Sequence, residues 1–244
     1  MAKNHFSFNG IEFDYLTISN GFTLPTWTPI SSILVDIPRR AGALRVGKEF
    51  RIRTISVPFY FKYSSFAELQ EIKETLAKDL LSFGNESFPL VFDIEPDRKY
   101  FASIVGELEL EENPNIAFGT LTFECENPFK HDIEETLSII DLEGIVVNDG
   151  TVETGFISTA IFSDSATEYV ITHTNVNMFV KIIYNFSEGD VLSLDFDTRT
   201  ITINGVLQMP TLDWVNSQWF KLHTGINAIG ATEETSLEFT RKWW

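Results

Sequence analysis

Apolar and polar residues alternate along most of this chain, in short runs that Gly, Asn, Asp and Pro interrupt. Alternation places successive side chains on opposite faces of a strand, so the pattern predicts a mainly β protein. Between residues 50 and 61 the phase changes once, because Phe50, Ile52 and Thr54 share one parity and Ile55, Val57, Phe59 and Phe61 share the other. This change predicts a β-bulge near Thr54. Pro58 has no amide hydrogen, which favours an edge or an irregularly paired strand.

One segment follows the helical period instead. Its apolar residues recur every three or four positions, at Phe66, Leu69, Ile72, Leu76, Leu80 and Phe83. This spacing predicts a helix over 66–83 with one apolar face. The pair Ser65 and Glu68 predicts a capping box, in which the Ser65 hydroxyl accepts from the Glu68 amide and the Glu68 carboxylate accepts from the Ser65 amide. The dipeptide Gly84-Asn85 predicts the end of the helix.

Turn residues predict several hairpins. The alternating run 104–110 leads into Asn113-Pro114-Asn115, and the run 116–125 follows as the second strand of a hairpin. A three-stranded meander is predicted nearer the C-terminus, with strands over 192–196, 200–203 and 206–208. Asn204-Gly205 joins the last two, and this dipeptide tolerates the positive φ angles of a type I′ turn. Short strands with frequent turns and almost no helix favour a β-sandwich.

The distribution of charge predicts two domains. Residues 1–130 carry a formal balance of −5, whereas residues 131–244 carry −12. The predicted secondary structure changes at the same place, from strands with one helix to short strands without a helix. We therefore predict an N-terminal domain over 1–132 and a C-terminal domain over 133–244.

Composition excludes several classes of protein. The net charge of −17 argues against a protein whose main task is to grip nucleic acid, because affinity for phosphate comes from basic side chains. The single Cys125 excludes an internal disulfide framework, and its phase with Leu121 and Phe123 favours a buried structural thiol. The sequence contains neither a secretory signal nor a run of apolar residues long enough to span a membrane. We expect a soluble protein, made in the cytosol and without membrane insertion.

The sequence contains few candidate catalytic residues. The four His are isolated, and nucleophile-elbow, phosphate-loop and dinucleotide motifs are missing, so no metal or cofactor is expected. Asp195 and Asp197 would project from one strand face, as the carboxylate pair of a glycoside hydrolase or part of a calcium site does. Scattered acids on a sandwich are more often solvated turn residues, and we expect no enzyme here.

Two groups of side chains are candidates for binding. The basic group contains Arg39, Arg40, Arg45, Arg51 and Arg53. Guanidinium groups suit carboxylates, so these residues either meet acidic surfaces on neighbouring copies or form an ordinary solvated loop and strand.

The aromatic group contains Trp214 and Trp219, which could stack on sugar rings. Packing in a core is the more common role of Trp.

Several segments together resemble the distal tail protein (Dit) family of phages with long, non-contractile tails. The segments in the first half are 6–10, 51–57, 100–106 and 119–129. Those in the second half are 189–192, 204–205, 219–222, 225–227 and 241–243. One departure is visible: the family often has a Pro-Gly-Arg-Asp-Gly-like turn where this chain has Pro38-Arg39-Arg40-Ala41-Gly42.

This resemblance implies a fold and a function. The fold is a β-sandwich-like ring domain with one helix, followed by a galectin-like β-sandwich. The function is that of a homo-hexameric hub at the distal end of the virion's tail, made in the bacterial cytoplasm and added to the tail. Such a ring links the tail-tube protein to a tail-associated fibre or lysin protein, can dock receptor-binding proteins, and lets DNA pass without specific binding. The alternatives are a carbohydrate-binding module or adhesin for cell-surface glycans and, less favoured, a glycoside hydrolase.

Overall fold

The computed structural model describes residues His5–Leu81 and Glu86–Trp244. Its contacts divide the chain into two compact units: a first unit of residues 1–130 together with Trp244, and a second unit of residues 131–243. The described residues form one α-helix and many short strands, so the prediction of a mainly β fold with a single helix is confirmed. Within these residues, no helix has the length and apolar character needed to cross a membrane.

The first unit contains one large antiparallel sheet. Its elements in chain order are β1 (Phe6–Phe8), β2 (Ile11–Glu12), β3 (Thr17–Ile18), β4 (Ile30–Asp36), β5 (Ala43–Phe50), β6 (Arg53–Lys62), α1 (Phe66–Leu80), β7 (Phe88–Phe92), β8 (Glu95–Val105), β9 (Glu111–Asn113) and β10 (Ile116–Cys125). The strand order is β2-β1-β7-β8-β10-β6-β3, with β9 also paired to β10. The long strand β8 connects the strands around β7 to those around β10, because it pairs with β7 between Glu95 and Ala102 and with β10 between Ser103 and Val105. A Phe-rich core lies inside this fold.

Strand β6 shows why the phase of the sequence changes. It pairs with β10 without interruption from Arg53 to Lys62, and its inward positions run in one phase from Arg53 to Phe61. The predicted bulge near Thr54 is therefore wrong: the phase changes in the connection between β5 and β6. Strand β3 pairs only with Phe59 and Tyr60, and the Ser19 amide donates to the Pro58 carbonyl at 2.8 Å. Pro58 thus lies in a regular ladder with β10, on a strand whose other side is largely unpaired, which suits a residue without an amide hydrogen.

The helix α1 begins where the sequence indicates. The Ser65 hydroxyl accepts from the Glu68 amide at 3.2 Å, and Leu69, Leu76 and Leu80 are buried on its apolar face. The Glu68 carboxylate accepts from the Ser64 amide at 2.7 Å, one residue before the predicted donor.

The predicted end of the helix at Phe83 and Gly84-Asn85 lies outside the described residues.

The β9–β10 hairpin turns at Pro114-Asn115, and Asn115 has a φ of 65°. The strand predicted over 104–110 is largely wrong, since β8 ends at Val105 and β9 begins only at Glu111. Gly106 has a φ of 81°, a left-handed conformation that ends the extended strand.

The second unit contains two antiparallel sheets. Its elements are β11 (Lys130–Asp132), β12 (Thr136–Ile140), β13 (Glu143–Asn148), β14 (Ile157–Ile161), β15 (Ala166–His173), β16 (Met178–Phe186), β17 (Val191–Asp195), β18 (Thr200–Ile203), β19 (Val206–Leu207), a 3-10 turn over Met209–Thr211, β20 (Gly225–Ala231), β21 (Thr235–Phe239) and β22 (Lys242–Trp243). One sheet has the order β12-β21-β14-β17-β18-β19 and the other β13-β20-β15-β16, while β11 pairs with β22. Both sheets contribute to one apolar core, which makes this unit a β-sandwich.

The meander of the second unit matches its prediction. Strands β17, β18 and β19 are consecutive neighbours in the six-stranded sheet. Asn204 and Gly205, between β18 and β19, have φ angles of 52° and 76°, the two positive values of a type I′ turn.

Candidate functional site

A two-stranded hairpin in the first unit is the candidate site. Strands β4 and β5 pair from Ile30↔Phe50 to Asp36↔Ala43, with one irregularity between Ile33 and Leu34. Within the described part of the chain, these strands pair only with each other and form a separate two-stranded sheet. We call residues 30–50 the exposed hairpin.

The tip of the exposed hairpin is a tight turn. The Arg40 amide donates to the Ile37 carbonyl at 3.1 Å, and Arg39 has a φ of 66°. With Pro38 before a residue of positive φ, the tip has the features of a type II turn, which normally carries Gly at the position that Arg39 occupies. The turn therefore forms here although the family's usual Gly is replaced by an Arg.

The exposed hairpin leaves large aliphatic side chains in solvent. Leu34 is 57% exposed and Val46 is 56% exposed. The further exposed apolar residues are Ile30, Ile33, Val35, Ile37, Leu44 and Phe50. Exposed apolar surface on this scale marks an interaction surface in a folded protein. Sequence reasoning identified the charges of this segment but missed the exposed aliphatics, because aliphatic residues in a strand usually indicate a buried face.

Four of the five predicted interface arginines lie on or beside the exposed hairpin. Arg39, Arg40 and Arg45 are exposed, and in the described ranges none of them has an ion-pair partner. Arg51, just after β5, donates from Nε to the Ser31 hydroxyl at 2.8 Å and lies 3.0 Å from the Glu49 carboxylate. The hairpin thus combines apolar surface with positive charge in an acidic protein.

The fifth arginine does not belong to this surface. Arg53 is fully buried, donates from Nη2 to the Thr28 hydroxyl at 2.9 Å, and has its guanidinium carbon 5.5 Å from the centre of the Tyr100 ring. Among the described residues, the Nε and Nη1 atoms of Arg53 find no hydrogen-bond partner. The prediction that Arg53 meets a neighbouring copy is wrong, because it is the first inward-facing position of β6.

A contact that sequence reasoning missed lies at the base of the exposed hairpin. The ring of the last residue, Trp244, has its centre 4.9 Å from that of Phe50 and 5.5 Å from that of Phe129. Because Phe50 ends β5, this aromatic cluster holds the base of the hairpin in place. An aromatic residue at each of these three separate positions was the only signal in the sequence.

The two tryptophans proposed for sugar stacking differ in environment. Trp219 packs partly buried on the core, with its ring centre 5.0 Å from that of Phe196. Trp214 is 65% exposed. The described residues therefore do not place the two side chains in equivalent positions for a shared stacking platform.

The carboxylates proposed for hydrolysis have an ordinary structural explanation. Asp195 accepts from the Asp197 amide at 2.8 Å and from the Thr198 amide at 3.0 Å. Burial alone would raise the pKa of Asp195, but hydrogen bonds from Thr198 and Asp197 outweigh it and leave the pKa below its ordinary value. A glycosidase acid needs the opposite shift. The side chain of Asp197 lies near Lys221 and Lys242.

The remaining reactive side chains are also structural. Cys125 is buried, and burial raises the pKa of its thiol to about 12, so the reactive thiolate is disfavoured. Across His5–Leu81 and Glu86–Trp244, no three or more His, Cys, Asp or Glu side chains come together as a metal site.

Comparison with known sequences gives a consistent result for both units. Residues 13–125 match the profile of a phage tail protein RIFT-related domain, and residues 149–243 match that of the C-terminal domain of a siphovirus-type tail component. The distal tail protein of Bacillus phage SPP1 is 33% identical over 159 residues, which are 64% of this chain. The match covers 62% of that relative's length.

Solved structures support the same fold. The crystal structure of SPP1 Dit, described as a hub adsorption apparatus in phages that infect Gram-positive bacteria, superposes with a TM-score of 0.86 over 99% of both chains at 19% identity. A chain of the phage P2 baseplate in its activated conformation gives a TM-score of 0.51 at 8% identity, over 99% of this chain and 98% of that one.

These matches favour a structural tail component over the carbohydrate-binding and glycoside hydrolase alternatives. Both units of the chain are thus similar to siphovirus-type phage tail proteins, and the chain resembles the distal tail proteins among them.

Proposed function

We propose that this protein is a structural hub at the distal end of a siphovirus-type tail. Six copies form a closed ring through their first units, and the protein acts as an adaptor without catalytic activity or cofactor. The ring lies between the tail-tube protein and a tail-associated fibre or lysin protein. The second unit faces outward, where receptor-binding proteins can dock. The similarity to siphovirus-type tail proteins supports this role, as do two structural relatives, one described as a hub adsorption apparatus and the other as part of a baseplate.

The observation that carries the proposal is the exposed hairpin. A two-stranded hairpin is at best marginally stable on its own, yet this one holds many aliphatic side chains in solvent. Covering them with a neighbouring copy removes apolar surface from water, at about 25 cal/mol per Å². Assembly therefore supplies the stabilisation that β4 and β5 lack in the isolated chain.

A ring follows from the kind of contact that such a hairpin makes. The exposed hairpin is one patch of the surface, and it must meet a different patch on the next copy. Contacts of this head-to-tail kind close into a ring when the rotation between copies fits, and otherwise grow as open filaments.

The charge of the chain suits a channel for DNA. At −17 the protein repels phosphate, so DNA passes through the ring without specific binding. The basic residues of the exposed hairpin are the exception, and an interface between copies would remove them from contact with DNA.

Replacing two of the exposed aliphatics tests the role of the hairpin. We expect the double substitution Leu34→Ser and Val46→Ser to shift the full-length chain from ring to monomer in mass photometry, because it removes the apolar contact and leaves the folded core intact. The matched control is Val206→Ser with Leu207→Ser, two residues that are about as exposed at the edge of the second unit. Unchanged rings in the first variant, or equal loss in both, would contradict the proposal.

The position in the virion is tested on the phage that encodes this chain. An antibody against the second unit, located by gold-labelled electron microscopy, is expected at the distal tip of the tail. Label along the tube or on the head would contradict the proposed location.

A further inference from the structure

A shallow groove in the first unit lies beside the irregular segment that follows β8. It has a volume of about 510 Å³. Its lining includes Pro58, Phe118, Thr120, Glu107, Glu109 and Glu111. We call these six residues the acidic groove. Its floor is apolar, because Pro58 and Phe118 lie on the outward side of β6 and β10, and its rim consists of the three glutamates.

The acidic groove exists because strand pairing is interrupted on the side of β10 where β8 and β9 lie. Strand β8 pairs with β10 up to Val105↔Thr122, and pairing resumes in β9 at Glu111↔Phe118. Five residues, 106–110, therefore lie opposite only three of β10, and they bulge out of the sheet. This leaves the middle of β10 without a strand on that side.

The backbone of Thr120 points into this gap. Thr120 lies opposite Pro58 on β6, and the Pro58 carbonyl accepts from Ser19 on the other side. The N–H and C=O of a strand residue point to the same side, so Pro58 and Thr120 form a non-hydrogen-bonded pair. The N–H and C=O of Thr120 then face the gap, and in the described chain no backbone hydrogen bond reaches them from residues 106–110.

The rim of the acidic groove carries uncompensated negative charge. Glu107 and Glu109 are exposed, and across the described chain neither has an ion-pair partner. Glu111 accepts from the Asn113 side chain at 3.2 Å, and none of the described residues forms an ion pair with it. By contrast, the outer face of α1 carries Lys73 and Lys78 among its acidic residues, so part of its negative charge is compensated.

We propose that the acidic groove receives the tip of the exposed hairpin from a neighbouring copy. This inference rests on the proposed function, because it identifies the second patch that a head-to-tail ring needs. Arg39 and Arg40 of one copy lie against Glu107 and Glu109 of the next. Apolar residues of the hairpin cover the floor, and the outer edge of a hairpin strand beside the tip hydrogen-bonds to Thr120.

Three observations favour a second copy as the occupant. The hairpin tip is basic and apolar and the groove is acidic and apolar, so the two surfaces are complementary in charge and hydropathy. Both belong to the first unit, so every copy offers one donor and one acceptor. The free N–H and C=O of Thr120 suit an extended segment, which is what a hairpin presents.

Charge reversal in two separate chains tests this pairing. Variant A carries Arg39→Glu and Arg40→Glu, and variant B carries Glu107→Arg and Glu109→Arg, all at exposed positions. Each variant alone sets like charges against each other at every interface, so each is expected to stay monomeric. In an equimolar mixture, the wild-type hairpin of B meets the wild-type groove of A, and the reversed hairpin of A meets the reversed groove of B. We therefore expect the mixture to form rings in which A and B alternate, seen by native mass spectrometry as three copies of each.

A matched control carries Glu71→Arg and Glu74→Arg on the exposed face of α1, and it is expected to form rings alone. Circular dichroism checks that every variant is folded. If A or B alone forms rings, or if the folded mixture stays monomeric while wild-type rings form, the pairing is wrong and the proposed ring survives. If the wild-type chain forms no ring at any concentration, the proposed function and this inference fail together.

Discussion

Two antiparallel hairpins in this molecule are both rich in aliphatic residues, but only one of them buries these residues in its own unit. In the second unit, β17 and β18 bury Leu192, Leu194, Ile201 and Ile203 in the core of the sandwich. In the first unit, β4 and β5 also contain many aliphatic residues, yet no aliphatic side chain between residues 30 and 50 is buried.

The difference shows that aliphatic residues at strand positions do not by themselves specify which surface buries them. The side chains of β17 and β18 are buried against the opposite sheet of the same unit. The described chain buries no aliphatic side chain of β4 and β5, so we propose that another copy buries them.

The largest expected difference between the two hairpins comes from removing one leucine from each. Leu194→Ala should lower the free energy of unfolding by about 2–5 kcal/mol, because it leaves a cavity in a packed core. Leu34→Ala should change that free energy by less than about 0.5 kcal/mol in the monomer, since the side chain is exposed. Urea denaturation of the two variants measures both values. Comparable losses would mean that the exposed hairpin is packed within its own chain, against this account.

A smaller difference is expected at the turns. Gly205 and Gly42 have φ angles of 76° and 80°, and neither has an atom within 4 Å of the place where a Cβ would lie. An Ala at either position is strained by the left-handed backbone, at about 1 kcal/mol. For Gly205→Ala we expect faster hydrogen exchange across β17, β18 and β19, since these strands share the core. For Gly42→Ala, faster exchange should stay within the exposed hairpin. Spread of the effect from Gly42 into β6 would contradict the comparison.

The smallest expected effect is a pH dependence of the second unit. Burial lowers the pKa of His173 below its ordinary value, against a hydrogen bond with Asn227 that raises it, and His223 lowers it further. The unfolded chain therefore binds a proton more readily than the folded one, so stability is full above the unfolded pKa and falls as the pH drops below about 6.5.

The measurement is the change in melting temperature between about pH 7.5 and pH 5.5, in the wild-type chain and in His173→Gln. We expect a smaller change in the variant, whatever its stability at neutral pH. Equal changes in both proteins would show that another group causes the dependence.

The sequence predicted those elements that local chemistry determines. Ser65 and Glu68 marked the start of the helix, and Asn204-Gly205 marked a type I′ turn, because each acts on its own backbone or that of near neighbours. The sequence also identified the basic residues of the hairpin, since charge is visible without a structure.

The incorrect predictions concern features that depend on contacts between residues far apart in the sequence. The alternation over 104–110 resembles a strand, but Gly106 turns the chain away from β10. Arg53 resembles a member of the surface cluster, and only its register against β10 shows that it points inward. The difference between Trp214 and Trp219 depends on the packing of Phe196, which no spacing reveals.

The most direct test of the central claim is the mass of the wild-type assembly. Native mass spectrometry of the full chain across a range of concentrations reports how many copies associate and whether the number is fixed. This account predicts one dominant species of six copies, which is lost when the aliphatics of the exposed hairpin are replaced. A monomer at every concentration, or a ladder of masses without a fixed end, would contradict a closed ring.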